Sequence, residues 1–250
     1  MIRTANPALN ENAFKGARIL TPDSAADNQV MTLAGTVNKT GFLILLTAAA
    51  AWVSYGQLAA GPMTLLTLGG AIIAFIAALV TIFKKEWSPV TAPVYAVFEG
   101  LFLGAFSASV DALYPGLAIQ AVTITFGTLA GLLMAYRSGL IKATENFKLG
   151  VVAATGGLAL FYLVSMVIGM FGVQIPMLHS SGPIGIIFSL FVVVVAALNL
   201  VLDFDFIETA SEQGLPKYME WYAGFGLLVT LVWLYIEILR LLMKLQQRRE

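Results

Sequence analysis

Apolar residues run along most of the chain in stretches of about 20, the length of α-helix that crosses the hydrocarbon core of a bilayer. Windows of about 19 residues predict spans near 41–58, 63–83, 94–113, 116–136, 149–171, 184–207 and 221–242. Between them stand Gly61-Pro62, Ser88-Pro89, Pro115-Gly116, Gly182-Pro183 and Gly214-Leu215-Pro216. At such steps proline lacks an amide donor and glycine tolerates turn geometry. The connections are short, so the expected fold is all-α: one polytopic seven-transmembrane-helix bundle over residues 41–250, preceded by a polar tail of residues 1–40. The tail holds no apolar core of the kind a cleavable signal peptide carries, so the first helix is expected to be an uncleaved anchor.

Composition sharpens this picture. The 250 residues are 59% hydrophobic and 11% charged, whereas an ordinary soluble domain carries about 25% charged residues; the mean hydropathy is +0.86. A formal net charge of zero leaves no basic field for nucleic acid. Cysteine is absent, which removes disulfide and thiolate chemistry. The single histidine, His179, rules out a three-histidine metal site. Beside Ser180 and Ser181 it has no nucleophile-elbow sequence, so neither an enzyme nor a cofactor is expected. Asp203-Phe204-Asp205 lacks the glycine-rich loop that nucleotide chemistry would need.

Charge in the loops sets orientation. Arg3, Lys15, Arg18 and Lys39 lie in the tail, Lys84 and Lys85 follow span two, and Arg137, Lys142 and Lys148 follow span four; the intervening loops carry none. The positive-inside rule then puts the N-terminus in the cytoplasm. Span seven would carry Arg240, Lys244, Arg248 and Arg249 to the opposite face, against that rule. Its apolar length of about 22 residues suits a complete crossing, with re-entry as the alternative.

Ionisable groups within a span cost at least a few kcal/mol each and generally face the bundle interior. Span three has Glu99 and Asp111, span six ends in Asp203, Asp205 and Glu208, and span seven has Glu237 and Arg240. Ser189, Ala196, Asn199 and Asp203 fall on one helix face, as do Gly226, Thr230, Trp233 and Glu237. Asp205 points about 200° away from Asp203 and, like Glu208, lies close to water; Glu99 is deeper than Asp111. Were Asp203 and Glu237 within hydrogen-bond reach, they would share a proton and titrate as a coupled pair. Their ionised form would offer oxygen ligands to a hard cation such as calcium. A pH-dependent cation path through Asp203 and Glu237, with Asn199, Asp205 and Glu99 along it, is the expectation. An intrahelical Glu237–Arg240 pair that only neutralises charge is the alternative. Gly100 with Gly104, Gly127 with Gly131, and Gly156-Gly157 have the spacing of close-packed helix seams.

The run Trp233-Leu234-Tyr235-Ile236-Glu237-Ile238-Leu239-Arg240-Leu241-Leu242 and the run Glu99-Gly100-Leu101-Phe102-Leu103-Gly104 resemble the Bax inhibitor (transmembrane Bax-inhibitor-motif) family. The tail Arg3-Thr4-Ala5-Asn6-Pro7-Ala8-Leu9 with Phe14 is similar to its bacterial branch. The resemblance implies six helices around a central seventh and a bacterial inner membrane. It also implies, for some members, a proton-sensitive calcium leak controlled by paired aspartates. Asp203 would match the first of these and Glu237 the second, with glutamate where aspartate is usual. The implied partners are the bilayer, calcium or other cations, and protons. Other relatives imply the alternative, a non-conducting regulator or scaffold for membrane proteins such as a protease.

Overall fold

The structure, a computed structural model, describes residues 30–57, 64–172 and 180–248. The readings made on His179, on Gly61-Pro62, on Arg249 and on the tail motif of residues 3–14 lie outside them. Among the described residues seven helices follow in order: α1 (Leu33–Gln57), α2 (Thr64–Phe83), α3 (Ser88–Leu113), α4 (Leu117–Arg137), α5 (Glu145–Met170), α6 (Pro183–Glu212) and α7 (Met219–Gln247). A 3-10 turn at Lys85–Trp87 joins α2 to α3. Six are long and apolar enough to cross a membrane, and α2 adds a shorter apolar stretch, Gly69–Phe83.

Local chemistry explains the helix ends. α3 and α6 carry proline in the first turn, where its missing N–H has no partner to lose. Gly116, at φ +84°, turns the chain between α3 and α4, a backbone that only glycine adopts without strain. α1 starts eight residues before the apolar run at Gly41. Thr32 caps it, accepting the Gly35 amide on Oγ1 at 3.0 Å. Thr36 and Thr40 then return their hydroxyls to the carbonyls four residues back, so these polar turns satisfy themselves.

α1, α3, α5 and α7 start at one face of the bundle, called here the near face, and α2, α4 and α6 end there. Near-face links are Val30 bridged to Pro216, Ser88 Oγ donating to Tyr218 O, and Lys148 paired with Asp205. Far-face links join Tyr55 to Asp111 and Lys244 to Gly185. α7 therefore runs uninterrupted and antiparallel beside α6, from one face to the other.

Between helices in lipid there is no hydrophobic driving force, so close packing and polar links decide association. α1 and α3 form the tightest seam: a Cβ on Gly100 would strike the Thr47 carbonyl oxygen, and one on Gly104 the Ala51 carbonyl oxygen. Gly127, Gly131, Gly156 and Gly157 meet nothing within 4 Å, so their spacing makes no seam among the described residues. α7 packs against α1, α3, α4 and α6, and 67% of its apolar window is buried, against 11% for α5. Tyr222, Phe225, Leu234 and Leu239 of α7 are fully enclosed, with Tyr95 set edge-on to Phe225 at 5.0 Å between ring centres.

Candidate functional site

α6 presents its polar stripe to the interior: Ser189, Ala196, Asn199 and Asp203 are all buried, and Asp203 has no exposed surface. One turn before it, Asn199 Nδ2 donates to Thr155 Oγ1 of α5 and to Val195 O, each at 2.8 Å. Asn199 Oδ1 is a buried acceptor without a hydrogen-bond partner among the described residues. Burying such an oxygen costs about 1–3 kcal/mol when nothing donates to it. Asn199 and Asp203 thus put oxygens one turn apart in a region that water does not reach.

The register of α6 and α7 fixes where Glu237 lies relative to them. Lys244 Nζ donates to Ser189 Oγ at 2.8 Å. The number of residues separating Ser189 from Asp203 leads back along antiparallel α7 from Lys244 to Thr230. Asp203 stands at the level of the Gly226–Thr230 turn, and Glu237 lies about 10 Å closer to the far face at 1.5 Å per residue.

Glu237 is 3% exposed and belongs to a cluster of its own. Arg240 Nη1 reaches its two carboxylate oxygens at 2.9 and 3.1 Å, and the Tyr162 hydroxyl of α5 donates to Oε1 at 3.1 Å. Arg240 Nη1 also reaches the Tyr162 hydroxyl at 3.2 Å. The intrahelical Glu237–Arg240 pair therefore exists, with a tyrosine from another helix completing it. The two carboxylates expected to face each other are held on separate levels.

The other acidic groups are distributed by depth. Asp205 pairs with the buried Lys148 at 2.6 Å, and Glu208 accepts from the Tyr136 hydroxyl at 2.5 Å. Asp111 accepts from the Ala118 amide at 2.9 Å, in the first turn of α4, and from the Tyr55 hydroxyl at 2.9 Å. Glu99 is partly buried, one turn beyond Tyr95 on the same side of α3. Among the described residues no hydrogen bond or ion pair reaches its carboxylate. No group of three or more His, Cys, Asp or Glu side chains capable of holding a metal occurs among the described residues.

A cleft of about 960 Å³ opens at the near face, with Phe204, Asp205, Glu208 and Leu227 in its wall.

Three buried charges escape a reading by hydropathy. Glu220, fully buried in the first turn of α7, accepts from the Thr32 amide at 3.0 Å and from its hydroxyl at 2.9 Å. Lys217 lies at 3.0 Å and Lys39 at 4.0 Å. The carboxylate sits over the N-terminus of α1, where the helix dipole favours an anion, and only a glycine at position 35 leaves it room. Lys148 and Lys244 are also buried, although both flank their apolar runs and read as solvated ends. The one sequence signal for Glu220 is the capping threonine Thr32 with Gly35 three residues on.

The family model described as Bax inhibitor 1 like matches residues 6–247 of the chain. No curated protein matches the chain.

Proposed function

The chain belongs to the Bax inhibitor 1 like family, and from that premise we propose that it is a pH-sensitive leak for calcium or another hard cation. Asp203 and Glu237 are the titrating groups, α7 is the central helix, and the near face is cytoplasmic, in a bacterial inner membrane. The observation that carries this reading is Asp203, a carboxyl with no exposed surface inside a 30-residue apolar helix, one turn from the unpartnered Asn199 Oδ1. Groups this costly in a bilayer mark pathways, and hard cations favour such oxygens.

In this mechanism a cation from the near face passes Asp205 and Glu208 and dwells at ionised Asp203 and Asn199. Glu99 lies on the opposite flank of α7. Exit is closed by the Glu237–Arg240–Tyr162 cluster, which needs the charge on Glu237. Protonation of Glu237 weakens its hold on Arg240 and frees α5, the helix with least of its surface buried. One carboxylate works ionised and the other opens the exit when protonated, so flux depends on pH through both.

Calcium entry into proteoliposomes loaded with an indicator dye, followed from acidic to neutral pH, tests this. Asp203→Asn should abolish flux, and Glu237→Gln should leave flux that no longer falls toward neutral pH. Unchanged profiles in both variants would sink the mechanism. Wild-type flux no greater than that of empty vesicles would favour the second reading, a non-conducting regulator of other membrane proteins.

A further inference from the structure

We propose that the near-face cleft between α1 and α4 is a binding site for one anionic phospholipid of the adjoining leaflet. α1 packs on α3, α7 and α6, while α4 packs on α7, α6 and α3; between α1 and α4 the cleft of about 960 Å³ remains. That volume is at the upper end of ligand pockets. Its walls are Val37 and Ile44 from α1 and Leu129 and Leu133 from α4, and Val37 and Leu133 are themselves exposed. In a membrane this opening meets acyl chains.

The polar lining narrows the choice of ligand, because most of it is already engaged. Thr36 and Thr40 donate to their own helix, Tyr136 donates to Glu208, and Asp205 is paired with Lys148. The cations of the lining, Arg137 and Lys142, have no ion-pair partner among the described residues; against the two stands the Glu208 carboxylate, which Tyr136 hydrogen-bonds without neutralising. Arg137 ends α4 and Lys142 lies in the loop after it, beyond the apolar length of the helix. An apolar slot below with two uncommitted cations above suits an amphiphile with one anionic headgroup. Basic pockets between membrane helices take such headgroups. A soluble anion would use the cations but leave the slot, and a zwitterionic lipid would use the slot but little of the charge.

Native mass spectrometry of the full chain, released from detergent with phosphatidylglycerol or phosphatidylcholine of identical acyl chains, reads this directly and does not depend on ion flux. Wild type should retain phosphatidylglycerol in preference. Arg137→Gln and Lys142→Gln should each lower its retention about fivefold. Val37→Trp should lower retention of both lipids by crowding the slot, whereas Leu163→Trp on α5 should change neither. All four positions are exposed, so the variants should fold. Equal retention of the two lipids by wild type, or phosphatidylglycerol retention unchanged in the double Gln variant, would overturn the proposal. So would glycerol phosphate displacing the lipid at equal concentration, since the site would then recognise the headgroup alone.

Discussion

Glu220, in the first turn of α7, and Glu237, well inside it, are both buried, and each lies three residues from a cation, Lys217 or Arg240. Their neighbours differ. Glu220 ties α7 to α1 through a backbone amide and a hydroxyl, on the side of the bundle where Gly35, Gly100 and Gly104 leave no room for a methyl group. Glu237 reaches across only to Tyr162 of α5, the helix with the least burial of the six long ones. The difference teaches that burial alone does not mark a functional carboxylate. One held among tightly packed helices fastens the fold, and one whose neighbour is loosely packed is held less firmly.

Glu220→Ala should break that contrast most severely. It strands the Thr32 amide and leaves Lys39 and Lys217 facing a cavity, for a loss of about 3 kcal/mol in chaotrope unfolding in detergent. Glu237→Gln, which keeps the shape and can still accept from Arg240, should lose about 1 kcal/mol. Equal losses would erase the distinction. Gly104→Ala should cost about 1–3 kcal/mol, since the methyl meets a backbone oxygen and not a flexible side chain. Tyr162→Phe should cost about 1 kcal/mol and move the pH profile of calcium flux part of the way toward that of Glu237→Gln. Gly127→Ala, with open space around it, should leave thermal stability unchanged or slightly raised through helix propensity. A drop as large as that of Gly104→Ala would mean that α4 has a partner on that face.

The number of helices is legible in the sequence because hydrophobic length is a property of single segments. The stripe Ser189, Ala196, Asn199 and Asp203 is legible for a similar reason, since helical spacing fixes which residues share a side. The start of α1 is not legible from hydropathy. Its first turns are polar and gain their place from Thr32 and from Glu220, on the opposite end of the chain's helix order. The depth difference between Asp203 and Glu237 is also hidden, because it depends on how α6 and α7 are aligned, and that alignment is fixed by Lys244 on Ser189. Glu237 with Arg240 can be foreseen from a spacing of three; Tyr162 cannot, being 75 residues earlier.

The clasp between Thr32 and Glu220 spans 188 positions, so it is among the last contacts that a chain under synthesis can make. Closing so long a loop adds little entropy cost beyond a loop half its length, about 0.6 kcal/mol. The delay is imposed by biogenesis, because α7 must be translated and inserted first. Until then the leading turn of α1 sits at the membrane boundary without its carboxylate cap, and the Gly35 notch stays vacant. A nascent chain that stops before Glu220 therefore differs from a finished one at its earliest helix, which lacks that cap.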